Sequence, residues 1–158
     1  MNTKKIMRSF LVLLFCVYCV FLINFLFLDA RLTTLTYAEH LKRSVNLVPF
    51  KTIAEYVSKI ANKTINLSSF LKNMFGNLIL FLPMGLFLPC LSNKMRKFSK
   101  ALVVNLIIIL DVECIQLFST LGSFDIDDVI FNMFGSTAGH AVFQCKPINV
   151  LLKRMQIA

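Results

Sequence analysis

Ionisable and amide side chains stand inside two of the most apolar stretches of this sequence. Glu113 and Gln116 occur in ALVVNLIIILDVECIQLF, and Asp125, Asp128 and Asn132 occur in FDIDDVIFNMFGSTAGH. At about 100° per residue, the last three fall within roughly 100° of arc on one helix face, and the first two lie about 60° apart on another. Carboxyl groups within hydrocarbon are costly, so they indicate a functional site. Glu113 and Asp128 are the candidates for a general acid and a general base.

Two further acids do not share these faces. Asp127 falls on the side of its helix opposite the polar stripe, and Asp111 falls opposite Glu113. A helix N-terminus needs one capping acid, and either Asp125 or Asp127 would serve. Capping therefore does not explain three aspartates followed by an asparagine. The sequence assigns no partner to Asp111; Asn24, in the first apolar segment, is a suggestion.

The composition indicates an all-α membrane protein. Hydrophobic residues make up 57% of the 158 residues, charged residues make up 16%, and the mean hydropathy is +0.73. Soluble domains are about 45–50% apolar and about 25% charged. A spanning helix needs roughly 20 mostly apolar residues. Four segments approach this length, which predicts one domain over residues 1–158, with spans at about 10–28, 77–91, 101–118 and 127–145.

The distribution of charge predicts which side of the membrane each loop faces. Cytoplasmic loops carry an excess of Lys and Arg. With four spans, one side holds ten basic residues and no acid: Lys4, Lys5, Arg8, Lys94, Arg96, Lys97, Lys100, Lys146, Lys153 and Arg154. The other side is mixed and includes Asp29, Arg31, Glu39 and Glu55. We therefore expect both termini in the cytoplasm, the first span to remain as an anchor, and the polar residues of the helices to form a pocket that opens to the outside.

The segment 29–75 is long for a connecting loop, which predicts that it has structure of its own. NLVPF, residues 46–50, is typical of an extended or turn element, because a residue before proline avoids the helical region. KTIAEYVSKIANK, residues 51–63, has the periodicity of an amphipathic helix. Two placements are open for this helix: it lies in the membrane interface, or it packs on the bundle as a lid. At the other end of the chain, Gly135 and Gly139 form a G-x-x-x-G pattern that predicts close helix packing.

Four motifs in order resemble the VanZ-like family of bacterial membrane proteins. They are NLVPF (46–50), NLILFLPMG (77–85), ECIQ (113–116) and FDIDDVIFNMFG (124–135). The motif-bearing region is residues 46–145. The polar and proline positions that the resemblance implies are Asn46, Pro49, Asn77, Pro83, Glu113, Gln116, Asp125, Asp128 and Asn132. Two residues depart from the family pattern: Gly122 stands where an arginine is common, and Asp111 stands at a usually apolar position.

The resemblance implies a multi-pass protein of the bacterial cytoplasmic membrane, in a family whose name-giving member is linked to teicoplanin resistance. We expect it to act at the outer leaflet on lipid-linked cell-wall precursors or on lipoglycopeptide antibiotics. The ligand-binding candidates are Asn46, Asn77, Gln116, Asp125 and Asn132.

An intramembrane enzyme is the alternative function, in which Glu113 and Asp128 act on a lipid-linked substrate or hold a hard divalent cation with Asp125 and Asn132. The sequence has no histidine cluster or phosphate-binding loop, so we expect no resident cofactor or metal. The expected partners are membrane lipids and no nucleic acid, because the net charge of +9 is explained by membrane orientation. A transporter is disfavoured, since the four spans show no internal repeat.

Overall fold

Six α-helices and two very short strands make up most of the part of the chain that the structure, a computed structural model, describes: residues 3–27, 36–146, 148 and 150. The elements in order are α1 (Thr3–Phe27), α2 (Tyr37–Arg43), β1 (Val45–Asn46), α3 (Lys51–Ala61), α4 (Leu67–Leu91), a 3₁₀ turn (Asn93–Arg96), α5 (Phe98–Phe118), β2 (Phe124–Asp125) and α6 (Ile126–Gln144). Some residues used in the predictions lie outside the described part of the chain. They are Leu28 of the first predicted span and four residues of the charge pattern, Asp29, Arg31, Lys153 and Arg154.

Three of the described helices are long and apolar enough to cross a membrane. They are α1 over Lys5–Phe27, α4 and α5. The fourth predicted span, 127–145, corresponds to α6, which has 19 residues but carries two aspartates in its first turn. Eight residues of α6 are buried, so much of its surface contacts other helices rather than lipid. A membrane protein with three candidate spans is therefore established, and the crossing of α6 stays a prediction.

The second predicted span, 77–91, lies within a longer helix. The helix begins at Leu67 and not at Asn77, so it is ten residues longer than the apolar run 77–91 indicated. On the N-terminal side of that run stand Lys72, Asn73 and Gly76. Because these residues are not apolar, hydropathy alone does not predict that the helix continues through them. Pro83 and Pro89 lie inside the helix without ending it, as membrane helices tolerate when neighbouring helices pack around the proline.

The closest packing in the molecule is between α4 and α6, and glycines make it possible. A Cβ atom on Gly135 would overlap the carbonyl oxygen of Leu78, and one on Gly139 would overlap that of Leu82. From the other helix, a Cβ atom on Gly85 would overlap the carbonyl oxygen of Ser136. The two backbones therefore touch, which confirms the close packing predicted from G-x-x-x-G. Because residue numbers rise together along both contacts, the helices run parallel.

The apolar core lies where α1, α5 and α6 meet the middle of α4. Its buried members are Leu22, Leu80, Phe81, Met84, Ile109 and Val129. Tyr18 adds a polar link, because its hydroxyl donates a hydrogen bond of 2.8 Å to the carbonyl oxygen of Leu80. Burial of this cluster fixes the helices that carry the polar residues.

The segment before α3 returns to the bundle through a parallel strand pair. Val45 pairs with Phe124 and Asn46 pairs with Asp125. This pairing confirms the extended conformation predicted at the start of NLVPF, and it places Asn46 beside the beginning of α6. The helix predicted over 51–63 forms as α3, Lys51–Ala61.

Candidate functional site

Asp125 is the centre of a polar cluster at one end of the bundle. Its Oδ1 atom accepts hydrogen bonds from the Asp127 amide at 2.9 Å and from the Asn46 side-chain amide at 3.0 Å. Its Oδ2 atom accepts a 2.5 Å hydrogen bond from the Thr52 hydroxyl. The residue caps α6, as its sequence position predicted. The same carboxylate thus joins the start of α6 to β1 and to α3.

Glu113 reaches this cluster from α5. One of its carboxylate oxygens accepts a 3.3 Å hydrogen bond from the backbone amide of Asp125. Glu113 is 2% exposed, so its carboxyl group is shielded from bulk water. Its hydrogen bond to the Asp125 amide holds it at the start of α6, the part of the chain that also carries Asp128.

Asp128 and Asn77 form the contact between α6 and α4. The Asn77 side-chain amide donates a 2.5 Å hydrogen bond to the Asp128 carboxylate. Asp128 is half-buried. Within the described residues, the ion pair that forms is Glu55–Lys59, on α3. The carboxylates of the cluster are therefore held by amides, a hydroxyl and backbone N–H groups.

Asp127 has a structural contact that the sequence analysis missed. It was placed on the side of α6 away from the polar stripe, and it is in fact 2% exposed. Its carboxylate accepts hydrogen bonds from the backbone amides of Phe50 at 2.5 Å, Thr52 at 3.0 Å and Ile53 at 3.4 Å. These amides begin α3, which has no side-chain cap of its own. Asp127 thus supplies the missing cap from a distant part of the chain.

A cleft between α3, α4 and α6 gives the cluster its opening. Its volume is about 10 Å³, which is room for about one water molecule. The wall residues are Thr52, Ile53, Tyr56, Phe70, Asn73, Met74, Asp127, Asp128 and Phe131. Burial, followed by the charges of Asp128 and Asp125, raises the pKa of Tyr56. The Tyr56 phenol therefore stays protonated and is a hydrogen-bond donor at this cleft.

The sequence profile of the VanZ/LLP1 family matches residues 11–149. The chain belongs to this family. No curated protein and no solved structure matches the chain. In the structure of this VanZ/LLP1 protein, motif residues from four separate parts of the chain meet at one end of the bundle: Asn46, Asn77, Glu113, and the pair Asp125 and Asp128.

Two candidate residues of this VanZ/LLP1 protein lie outside that cluster's hydrogen bonds. Gln116 donates to the carbonyl oxygen of Leu26 at 3.2 Å, so it fastens α1 to α5. Asn132 is 1% exposed, and its Oδ1 atom has no donor among the described residues. It lies one helical turn from Asp128 on the same face of α6. The membership of Gln116 and Asn132 in a ligand site stays a prediction.

The suggested partner for Asp111 is not observed in the described part of the chain. Asn24 donates its side-chain amide to the carbonyl oxygen of Val20, in its own helix, at 2.7 Å. Asp111 is exposed on α5. Spacing places two polar residues in neighbouring helices but does not give the rotation of either helix.

Gly122, at the position where family members commonly carry arginine, sits against Gln116. A Cβ atom at Gly122 would lie 3.1 Å from the Cβ of Gln116, and the Gly122 amide donates to the Gln116 carbonyl oxygen at 3.1 Å. A long side chain here would have to share space with Gln116.

Sequence reasoning did not find Thr52 or Tyr56 as site residues. Thr52 reaches Asp125 through a contact 73 residues away in the chain, and Tyr56 packs against Phe70 with ring centroids 5.5 Å apart. Both were treated as ordinary positions of an amphipathic helix. The signal available was the uncapped start of that helix, since PFK offers no Ser, Thr, Asp or Asn cap. A sequence that contains both a helix without an N-cap and an aspartate without an assigned role indicates that the aspartate caps that helix.

Within the described residues, no group of three His, Cys, Asp or Glu side chains is placed to hold a metal ion. The divalent-cation arrangement considered for Glu113, Asp125 and Asp128 is therefore not formed by their carboxylates here. His40 and His140 are both buried. His40 contacts Ser44 at 3.1 Å and His140 contacts Gln144 at 3.1 Å, so both histidines contact residues of their own segments.

Proposed function

We propose that the cluster and its cleft bind an amphiphilic molecule at the outer leaflet of the bacterial cytoplasmic membrane, either a lipid-linked cell-wall precursor or a lipoglycopeptide antibiotic of the teicoplanin type. The observation that carries this proposal is the cleft's two kinds of wall. Five wall residues offer polar groups and four are apolar: the polar ones are Thr52, Tyr56, Asn73, Asp127 and Asp128, and the apolar ones are Ile53, Phe70, Met74 and Phe131. Ligand sites in proteins combine an apolar lining with a few polar groups that fix orientation.

The closed state of the cleft is compatible with binding. Its volume does not admit a large headgroup, so α3 has to move for a ligand to enter. None of the residues of α3 is buried, and its start is attached to the bundle mainly by hydrogen bonds to Asp125 and Asp127. A ligand that competes for those carboxylates would release α3.

The amide variants Glu113→Gln and Asp128→Asn test this proposal. Each keeps the size of the side chain and removes its charge. Membrane abundance should stay near normal, because loss of a charge in the bilayer lowers an insertion cost of about 2–3 kcal/mol. Any increase in teicoplanin tolerance that the wild-type protein confers should be abolished, whereas vancomycin tolerance should change less. The readouts are minimal inhibitory concentration and protein level in isolated membranes.

Asp111→Asn is the matched control, since it removes an exposed carboxylate from the same helix as Glu113. This control should retain full teicoplanin tolerance. Full activity of both amide variants at normal abundance would show that the carboxylates only hold the helices together.

An intramembrane enzyme is the second candidate, and the hydrogen bond between buried Glu113 and the Asp125 amide favours it, because this bond holds a carboxyl group at the start of α6, where Asp128 also lies. Two carboxyl groups held at one shielded site are suited to proton transfer. The two candidates differ in what happens to the lipid. Mass spectrometry of total lipids from cells with and without the protein distinguishes them: an enzyme produces a new or depleted lipid species that disappears with Glu113→Gln, and a binding protein changes no covalent structure.

A further inference from the structure

Four residues that precede α3, Leu47, Val48, Pro49 and Phe50, form a hydrophobic tip on the outer segment. Leu47 is 65% exposed, Val48 is 60% exposed and Phe50 is 62% exposed. Consecutive large apolar side chains at this exposure are unusual in a loop that faces water. These side chains would be more stable in an apolar environment outside the protein than in water.

The backbone holds this tip in a fixed conformation. Phe50 has φ of 64° and ψ of 6°, the left-handed region that a bulky residue rarely adopts and that persists only where its surroundings enforce it. Asp127 accepts the Phe50 amide, the Asn46 side chain accepts the Val48 amide at 3.2 Å, and the Val48 carbonyl accepts the Lys51 amide at 3.3 Å. The exposed side chains are therefore presented by a constrained turn.

The depth of the tip follows from α4. Its inner end is Leu91, and Lys94 and Arg96 follow directly. Hydrocarbon about 30 Å thick corresponds to about 20 helical residues at 1.5 Å per residue, which places the outer boundary near Leu71. The exposed apolar residues Leu71, Phe75 and Ile79 continue along α4 to that level. Asn77 therefore lies about 9 Å below the boundary.

The depth of the tip can be estimated from that of Asn77, because contacts of α6 connect the two. Asn77 bonds Asp128, and the adjacent Asp127 bonds the Phe50 amide. A second estimate of the depth of the tip agrees with the first. Tyr56 packs on Phe70, at the boundary. The distance along α3 from Phe50 to Tyr56 is about 9 Å, close to the about 10 Å along α4 from Phe70 to Asn77.

We propose that residues 45–61 form a re-entrant element whose hydrophobic tip lies among the acyl chains of the leaflet opposite the basic loop 93–97. From the tip, α3 rises along α4 toward the headgroups, where Lys59 and Lys63 lie. The polar backbone of the turn is bonded to Asn46 and Asp127, as non-helical backbone at membrane depth requires. The partner of this surface is membrane lipid. Nothing in this placement depends on which ligand, if any, the cleft binds.

Depth-dependent fluorescence quenching tests the proposal. Single cysteines replace Leu47, Val48 or Phe50 in one set and Lys59 or Lys63 in the control set, in a background that lacks the native cysteines. An environment-sensitive fluorophore is attached in liposomes of phosphatidylcholine and phosphatidylglycerol with nitroxide on the acyl chain or on the headgroup. Tip positions should be quenched at least about threefold more by the acyl-chain nitroxide than by the headgroup nitroxide, and control positions should show the reverse.

Two outcomes would contradict the proposal. Tip fluorophores with water-like emission and rapid reaction with a membrane-impermeant thiol reagent would overturn the proposal, because the tip would then be in water. Blue-shifted emission without quenching by either lipid would also overturn it, because the tip would then be covered by protein. Val48→Cys keeps the outcome interpretable if a substitution at Phe50 disturbs folding, since the contact of Val48 with Asn46 is through the backbone.

Discussion

Three aspartates within four residues have three different partners. Asp125 joins α6 to β1 and Thr52, and Asp127 caps α3. Asp128 accepts a hydrogen bond from the Asn77 side-chain amide. The sequence placed Asp125 and Asp128 in one group because they share a helix face. It set Asp127 aside for the opposite face, since helix periodicity describes one helix and not the segment that packs on its back. The backbone amides that Asp127 needs are 74–77 residues away in the chain.

At this residue scale, Asp127→Asn should loosen α3 without unfolding the bundle. The amide keeps one acceptor oxygen where the carboxylate uses both, on Phe50 and on Thr52. Loss of a charge-assisted hydrogen bond at a buried group costs about 1–3 kcal/mol. Limited proteolysis in detergent should therefore cleave residues 44–66 several-fold faster in the variant. Asp111→Asn should leave the cleavage rate unchanged, and equal rates for Asp127→Asn and wild type would contradict the capping role.

At the element scale, the spans were predicted to within a few residues where composition was uniform. The third predicted span, 101–118, matches α5 to within three residues, because the helix stays strongly apolar on average although it contains Asp111, Glu113 and Gln116. The helix that contains the second span is ten residues longer than the predicted segment 77–91. The added part includes Lys72, Asn73 and Gly76, which interrupt the apolar run. Those residues are solvent-exposed or half-buried, so the helix tolerates them. In this region Phe70 of α4 packs against Tyr56 of α3, a contact that hydropathy does not report.

Two glycines of α4 and α6 offer a matched test of the helix contact. Gly135→Ala places a Cβ against the Leu78 backbone, whereas Gly76→Ala meets no heavy atom within 4 Å. The first variant should lower the unfolding temperature, because overpacking against backbone costs about 1–3 kcal/mol. The second should leave it unchanged or raise it slightly, since alanine favours helix by about 1 kcal/mol over glycine. Thermal unfolding in detergent is the measurement, and equal shifts for the two variants would contradict the close crossing.

At the scale of the whole molecule, the parallel course of α4 and α6 bears on how many times the chain crosses the membrane. Asp128 lies beside Asn77, and further along Gly139 lies against Leu82. From these starting points α4 continues to Leu91 and α6 continues to Gln144. Composition predicted a span at 127–145, but α6 is not among the described helices that are apolar enough to cross. We expect α6 to cross nevertheless, since it runs beside the candidate spanning helix α4 and would pass through the same hydrocarbon.

We therefore expect one external and two cytoplasmic reporter positions: external after Lys63, cytoplasmic after Lys97 and, because α5 and α6 each cross once, cytoplasmic again after Lys146. Lys63 lies in the turn before α4, Lys97 follows the basic 3₁₀ turn, and Lys146 follows α6. The charge bias of the loop 93–97 favours the cytoplasm for the second position. Fusions to alkaline phosphatase, active only outside, and to green fluorescent protein, fluorescent only inside, give opposite readouts at each site. An external reporter after Lys146 together with a cytoplasmic one after Lys97 would show that α6 does not cross. A cytoplasmic reporter after Lys63 would invert the protein and place the carboxylate cluster in the inner leaflet, where it could not meet an external antibiotic.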